Sequence, residues 1–193
     1  MTTTVVVAED EAVIRLDLVE QLRELGYEVV GECGDGATAV RLCADLLPDI
    51  AVLDVNMPGT DGLTAAREIA AQGRTAVIMV TAYGQRELVD QAVAAGAMAY
   101  LTKPWSESDL LPALEMARAR FAEIKQLSAQ VGQLSDSLRS RKLIDRAKAQ
   151  LTAAYGMSEA EAFRTLQQRA MDGRTSMAAE AAALLGESVE SGE

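Results

Sequence analysis

The chain of 193 residues contains no histidine and only two cysteines, Cys33 and Cys43. The lack of histidine excludes Ser-His-Asp and Cys-His catalysis, and it removes most transition-metal sites, for which imidazole is a common ligand. The two cysteines stand too far apart for a Cys-x-x-Cys redox or zinc motif, so we expect reduced thiols in the core. These absences narrow the possible chemistry before any motif is considered.

Long apolar runs are missing as well. No stretch approaches the roughly 20 residues that span a bilayer. The first residues, MTTTVVVAEDE, have neither the basic start nor the long apolar segment of a signal peptide. We therefore expect a cytoplasmic protein without membrane contact. The formal net charge of -11 argues against nucleic-acid binding over the whole surface, but it leaves room for a local basic patch.

Strand-like and helix-like segments alternate over the first two thirds of the chain. Helices are predicted over 12–25, 37–46, 63–71 and 86–95, and they separate the apolar segments TVVVAE, YEVVGEC, IAVLD, AVIMVT and AYLT. Such alternation through short loops predicts an α/β fold, a five-stranded doubly wound parallel sheet with helices on both faces. The nearly continuous apolar strands fit a sheet that is buried on both sides.

The pattern changes to helix alone from Asp109 onward. One long helix is predicted from Asp109 to about Ala154, with Pro112 in its first turn, where proline is tolerated. Apolar residues recur along this helix every three or four positions, which predicts a coiled-coil seam. The seam consists of Ile124, Leu127, Val131, Leu134 and Leu138.

Two short helices are predicted after the long one. Gly156 ends the long helix, and Ser158 with Glu161 has the spacing of a capping box that starts the next. Gly173 then interrupts the chain before a last helix. We expect a small all-α domain of three helices here, with a disordered tail over residues 188–193.

Polar residues stand where successive strands end. Glu9 and Asp10 follow the first strand, Asp54 ends the third, Thr81 ends the fourth and Lys103 follows the fifth. Ligands of open α/β sheets bind at this edge. Three carboxylates brought together need protonation or a hard cation, and three oxygens without histidine suit Mg²⁺. A lysine and a hydroxyl beside such a site suggest that it handles a phosphoryl group.

The motifs at these strand ends resemble the receiver domain of two-component response regulators. They are Glu9–Asp10, LDVNMPGTDG, VTAYG and YLTKPW, and the resemblance covers residues 4–119. It implies that Asp54 is the phosphoacceptor. It also implies that Glu9, Asp10 and Asp54 bind Mg²⁺ together with the backbone carbonyl of Asn56.

The same resemblance assigns roles to three further residues and to a partner. Thr81 and Lys103 would contact the phosphoryl group. Tyr100 would be an aromatic switch that follows Thr81, and the alternative is a half-buried strand aromatic without that role. The phosphodonor would be a phosphohistidine on a sensor histidine kinase, because this chain has no histidine of its own.

The span 139–174 reverses the charge of the chain. It holds eight basic and four acidic residues, a net charge of +4 in a chain of -11. A local reversal of this kind is typical of a nucleic-acid-binding surface. The alternative is a solvated helix face, since basic residues are common near the C-terminal ends of helices.

The motifs RKLIDRAKAQL, YGMSEAEAF and AMDGRTSM resemble the ANTAR domain of transcription antitermination regulators. The resemblance implies a three-helix module over 139–187 that binds RNA with paired hairpins, preceded by a coiled-coil linker over 120–138. The implied RNA-binding residues are Arg141, Lys142, Arg146, Lys148, Arg169 and Arg174. The residues expected to pack the helices together are Ala147, Phe163, Ala170 and Met171. The positions that depart from the family pattern are Gln150, Leu166, Gly173, Ala178 and Ala179.

These features predict a phosphorylation-activated antitermination regulator, not an enzyme, that forms a homodimer through the seam when phosphorylated. In the unphosphorylated state the seam would instead pack against its own receiver. Two other functions remain open, a DNA-binding response regulator and a signalling adaptor that uses the C-terminal helices for protein contacts. A phosphatase built on the acidic cluster is disfavoured, because Asn56 stands where a second acid would be needed.

Overall fold

The computed structural model describes residues 2–82 and 86–187, and within residues 86–89 it describes the backbone only. The chain divides between residues 126 and 127 into two units. The predicted tail over 188–193 and part of the VTAYG motif lie outside the described residues. In chain order the elements are β1 (Thr4–Ala8), α1 (Ala12–Glu24), β2 (Glu28–Cys33), α2 (Gly36–Leu46), β3 (Ile50–Asp54), α3 (Gly62–Ala71), β4 (Ala76–Ala82), α4 (Arg86–Ala94), β5 (Ala99–Lys103), α5 (Glu107–Tyr155), α6 (Glu159–Asp172) and α7 (Met177–Leu185).

The five strands form one parallel sheet in the order β2-β1-β3-β4-β5, which confirms the predicted fold class. Strand β1 lies between β2 and β3, so the order of strands reverses at β1 and β3. In open α/β sheets this reversal opens a crevice outside the carboxyl ends of the two strands. The sheet therefore places the residues that follow β1 and β3 beside a potential ligand site.

Alternate side chains of β1 point into two separate cores. Val5 and Val7 pack with residues of α1 and α5 on one face. Val6 and Ala8 pack with residues of α2 and α3 on the other. Burial on both faces explains why the central strands β1, β3 and β4 are almost wholly apolar, without period-two alternation. The edge strands β2 and β5 are less buried and carry charged residues.

The start of α5 corrects one prediction. The helix begins at Glu107 rather than Asp109, so Pro112 lies in the second turn and not in the first. Ser106 sets the earlier start, because its backbone N–H donates to Asp109 Oδ2 over 2.9 Å. Proline in the second turn leaves the carbonyl of Ser108 without its helical partner. Ser108 is exposed, so water can satisfy that carbonyl.

The C-terminal unit has its own small core among α5, α6 and α7. The predicted capping box of Ser158 and Glu161 is present, and Ser176 caps α7 through the backbone N–H of Ala179. Small side chains dominate this core and let the helices approach closely. The core residues are Leu143, Ala147, Leu151, Ala162, Leu166, Ala181 and Ala182.

The prediction that four residues pack the helices of this unit together is wrong for two of them. Ala147 and Ala170 are buried as expected, but Phe163 is 42% exposed and Met171 is 67% exposed. The buried positions of α6 are 162, 166 and 170, which recur every four residues. Phe163 and Met171 each follow one of these positions by one residue, a turn of about 100° around the helix.

The five apolar side chains of the predicted seam are exposed, from 47% for Ile124 to 68% for Val131. They leave an apolar stripe along α5 that a second helix could cover, and the coiled coil remains a prediction. Although α5 is 49 residues long, neither it nor any other helix in the described ranges has the sustained apolar character that crossing a membrane requires.

Gly62 tests how tightly the chain turns after β3. A Cβ on this glycine would lie 1.8 Å from the backbone oxygen of Asp54. We expect Gly62→Ala to lower the free energy of unfolding by about 3 kcal/mol, because the backbone itself must shift. Gly132→Ala is the matched control: nothing lies within 4 Å of its Cβ position, and it should stabilise α5 slightly. Equal urea midpoints for the two variants would mean that the turn after β3 accommodates a side chain without strain.

Candidate functional site

Three carboxylates converge at the carboxyl ends of β1 and β3. Glu9, directly after β1, is completely buried, and Asp54, the last residue of β3, is 4% exposed. Asp10 completes the cluster from the solvent side. One oxygen from each of the three side chains lies within 4.8 Å of the others. The sheet thus brings together the acids that the sequence placed at its strand ends.

Lys103 bridges the two buried carboxylates. Its Nζ lies 2.7 Å from Glu9 Oε2 and 3.2 Å from Asp54 Oδ1. Lys103 is the last residue of β5 and pairs with Ala82 of β4, whereas Asp54 pairs with Val80. The side chain therefore has to cross the end of β4, which a long flexible lysine can do.

The cluster keeps an excess of negative charge. Burial raises the pKa of Glu9, and the Lys103 ammonium only partly offsets the effect. Burial also raises the pKa of Asp54, again against the opposing effect of Lys103. For Lys103 burial acts to lower the pKa, but the two carboxylates outweigh it, so the pKa is raised. Ionised carboxylates are therefore costly here, and an additional cation would relieve the cost.

A hard divalent cation fits the donor set. Three carboxylates and one ammonium carry a formal charge of -2, which one divalent ion balances. Among the described residues Glu9 Oε2 has no hydrogen-bond partner of good geometry, although the Lys103 ammonium lies 2.7 Å away. An all-oxygen set of this kind suits Mg²⁺, Mn²⁺ or Ca²⁺ rather than a softer metal.

Backbone hydrogen bonds fix the turn that carries Asp54. The N–H of Val55 donates to Val80 of β4 over 2.9 Å, and Gly62 donates back to the carbonyl of Val55 over 3.0 Å. Asp61 then caps α3 by accepting from the N–H of Thr64 over 2.8 Å. Asn56 lies exposed in this short loop, two residues beyond Asp54. The carboxylate is thus held on rigid elements while the loop beyond it reaches solvent.

Thr81 and Tyr100 lie on the neighbouring strands β4 and β5, Thr81 near the carboxyl end of its strand and Tyr100 near the start of its own. Thr81 is buried one residue beyond the pair of Asp54 and Val80. Among the side chains and backbone groups that the structure describes, its hydroxyl makes one long contact of 3.4 Å, with the carbonyl of Ala82. Tyr100 is half exposed and pairs with Met79, and its role as a switch stays a prediction.

Arg15 is a site residue that sequence reasoning missed. Its Nη1 donates to the backbone carbonyl of Glu9 over 2.6 Å, and its Nε lies 3.8 Å from Glu32 Oε2. Arg15 lies in the first turn of α1, and from there it fixes the backbone at Glu9. The available signal was its position: an arginine in the first turn of a helix that starts directly after the acidic pair.

A shallow groove of about 470 Å³ opens beside Lys103, lined in part by Val13, Pro104 and Trp105. Val13 is 82% exposed, and Leu16 on the same helix is also exposed. Trp105 donates from Nε1 to Gln21 Oε1 over 3.2 Å, which fixes its ring against α1. The mouth of the acidic site is thus bordered by apolar surface.

The cations expected to bind RNA differ in whether they form ion pairs with acidic residues. Arg141, Lys142 and Arg174 form no ion pair with any residue that the structure describes. The other three each contact an acid within the C-terminal unit. The pairs are Arg146 with Glu187, Lys148 with Asp145 and Glu159, and Arg169 with Glu180.

A doubly wound sheet with a buried carboxylate cluster bridged by a lysine at its switch point is the architecture of a receiver domain. Residues 5–115 match the family described as response regulator receiver domain, and residues 132–185 match the ANTAR domain. The chain belongs to the response regulators, and it combines a receiver domain with an ANTAR domain.

Known proteins resemble most of the chain or its receiver part. The transcriptional regulatory protein PdtaR of Mycobacterium tuberculosis is 53% identical over 173 residues, which cover 90% of this chain and 84% of PdtaR. The signal receiver domain of the response regulator NarL from the same organism is 34% identical with a TM-score of 0.57, and covers 61% of this chain and 97% of its own. CheY from Borrelia burgdorferi, in a complex with CheX, BeF3 and Mg²⁺, is 26% identical with a TM-score of 0.55, and covers 58% of this chain and 86% of its own.

Two substitutions test the charge balance of the cluster without metal. Asp54→Asn leaves the buried Glu9 with one ammonium, so the free energy of unfolding should rise by about 1 kcal/mol. Lys103→Met leaves two buried carboxylates uncompensated and should lower it by about 3 kcal/mol. Denaturant unfolding in the presence of a chelator measures both changes.

The pH dependence of Asp54→Asn identifies the source of its stability gain. Because the pKa of Asp54 is raised in the folded state, lowering the pH protonates it and removes the charge that asparagine also lacks. The advantage of Asp54→Asn should therefore be largest at neutral pH and shrink as the pH falls. An advantage that grows on acidification would mean that repulsion is not its source.

Proposed function

We propose that the chain is a phosphorylation-activated antitermination regulator, in which phosphorylation of Asp54 controls RNA binding by the C-terminal unit. The observation that carries the first half is the bridging of Glu9 and Asp54 by Lys103 beside a third carboxylate. The match to an ANTAR domain carries the second half. PdtaR, which matches both parts of the chain, is named a transcriptional regulatory protein.

The proposed reaction is phosphoryl transfer to Asp54. A carboxylate oxygen of Asp54 attacks phosphorus, the bond between phosphorus and the imidazole nitrogen of a phosphohistidine breaks, and the leaving imidazole keeps the electron pair. The proposed donor is a sensor histidine kinase. Lys103 exchanges part of its contact with Asp54 for an oxygen of the phosphoryl group, and the Thr81 hydroxyl donates to another.

Mg²⁺ is the proposed cofactor, held by Glu9, Asp10 and Asp54 with the backbone carbonyl of Asn56. When bound, it neutralises the carboxylates and the charge of the transferred group. The complex of CheY with BeF3 and Mg²⁺ supports this assignment, because that protein shares the receiver fold. The groove beside Lys103, with Val13 and Trp105, offers an apolar surface on which a phosphodonor protein could dock.

Phosphorylation has a direct test. Incubation with a small-molecule phosphodonor and Mg²⁺ should add one acid-stable, base-labile phosphoryl group, detected by intact-mass spectrometry. Asp54→Asn should abolish the addition, and a chelator should suppress it at least tenfold. Asp61→Asn is the matched control, because Asp61 caps α3 close by but lies outside the cluster. Unchanged labelling of Asp54→Asn would overturn the assignment of the phosphoacceptor.

RNA binding is proposed for the exposed cations of the C-terminal unit. The implied set is Arg141, Lys142, Arg146, Lys148, Arg169 and Arg174. Arg141, Lys142 and Arg174 are exposed and unengaged by described acids, so they can contact phosphates at once. Lys148 is mostly buried by its neighbours and contacts two acids, so we expect it to contribute least.

Recognition of paired hairpins requires two copies of the module. The exposed stripe from Ile124 to Leu138 on α5 is the proposed dimer contact, formed when Asp54 is phosphorylated. Two linked sites bind a two-hairpin RNA with higher avidity than a single hairpin. In this proposal the seam determines the preference for two-hairpin RNA over a single hairpin, and it does not contact the RNA itself.

A seam variant separates these two effects. Phosphorylated wild type should bind a two-hairpin RNA at least tenfold more tightly than a single hairpin, and Leu134→Glu should lose that preference while it keeps single-hairpin affinity. Gln133→Glu adds the same charge beside the seam and should behave like wild type. Fluorescence anisotropy and sedimentation measure binding and stoichiometry. No RNA binding by phosphorylated wild type would favour the protein-adaptor function instead.

A further inference from the structure

A groove in the C-terminal unit gathers three cations on one face of α5. It encloses about 410 Å³, and Arg139, Lys142 and Arg146 line it together with the buried Leu143. These cations recur at spacings of three and four residues, so they lie on one side of the helix, with neighbouring Cβ atoms about 5–6 Å apart. The groove therefore presents a row of positive charge beside an apolar floor. Among the residues that the structure describes, Glu187 is the one acidic residue that lines the groove.

Glu187 contacts Arg146 with both carboxylate oxygens. Arg146 Nη2 donates to Oε1 over 2.6 Å, and Nη1 donates to Oε2 over 3.1 Å. A guanidinium binds the oxygens of a phosphate in the same two-pronged way. The Glu187 carboxylate therefore occupies the position in which the Arg146 guanidinium could bind the oxygens of a phosphodiester.

The backbone after α7 delivers this carboxylate to the groove. Gly186 adopts a left-handed conformation with φ of 69°, and the N–H of Glu187 then donates to the carbonyl of Ala182 over 2.9 Å. This turn directs the chain back toward α5. The position of Glu187 is therefore set by helix termination, and its charge is not needed for the turn.

The ion pair contributes little to the fold. The Arg146 side chain is 59% exposed and that of Glu187 is 40% exposed, and salt bridges this accessible to solvent are weak. Neither residue belongs to the core of the unit. A stronger or multiply bound anion can therefore displace Glu187 without disturbing the packing of the three helices.

We propose that Glu187 is an internal competitor for RNA: its carboxylate holds the place of an RNA phosphate on Arg146, and RNA binds the groove by displacing it. The proposal rests on RNA binding by this unit, as proposed above. It adds Arg139 to the RNA contacts implied by the family resemblance, because Arg139 lies in the same row of cations. Competition by Glu187 also makes the affinity of the unit for RNA lower than the number of its cations would suggest.

The test compares four variants of the full chain with wild type by fluorescence anisotropy, with a labelled two-hairpin RNA over a range of salt concentrations. Glu187→Gln should bind about fivefold more tightly than wild type at about 0.1 M salt. The gain should shrink as the salt concentration rises, because salt weakens the exposed ion pair that RNA has to break in wild type. Asp172→Asn is the matched control, because Asp172 contacts Gln168 rather than an arginine.

The double variant Arg146→Ala/Glu187→Gln decides whether the gain passes through Arg146. It should bind no more tightly than Arg146→Ala alone. If wild type binds RNA and Glu187→Gln binds it with the same affinity at every salt concentration, Glu187 is not a competitor for RNA. The proposed RNA-binding function would not be affected by that result. If neither wild type nor Glu187→Gln binds RNA, both proposals fail. Circular dichroism confirms that each variant is folded.

Discussion

The N-terminal unit depends on one electrostatic constraint: two buried carboxylates share a single ammonium. Glu9 and Asp54 meet at the switch point of the sheet, and Lys103 contacts both. This arrangement leaves an excess of negative charge in a place that water barely reaches, which raises the pKa of both acids through burial. A divalent cation would relieve this cost, because it balances the excess charge of the carboxylates.

The meeting of these residues could be predicted from the sequence because the carboxyl ends of parallel strands share one edge. Strand composition and loop residues indicated the element order, and the motifs then placed Glu9, Asp54 and Lys103 at that edge. The hydrogen bond from Arg15 to the carbonyl of Glu9 could not be predicted, because it depends on the conformation of one side chain. The close approach of Gly62 to Asp54 likewise depends on the path of the loop.

The C-terminal unit shows where sequence reasoning loses precision. The capping residues marked its helices correctly, but Phe163 and Met171, which were predicted to pack the helices together, are both exposed. The rotation of α6 is set by small residues such as Ala162 that allow close packing. Charge counting has the same weakness, because a net charge cannot show that Arg146 is engaged by Glu187 whereas Lys142 contacts no described acid.

We propose that phosphorylation of Asp54 in the N-terminal unit is coupled to RNA binding by the C-terminal unit. The most direct measurement is the affinity for a two-hairpin RNA with and without a phosphodonor and Mg²⁺, in wild type and in Asp54→Asn. We expect at least a tenfold gain for wild type, equivalent to about 1.4 kcal/mol of coupling, and no gain for the variant. Equal affinities of phosphorylated and unphosphorylated wild type would contradict the coupling.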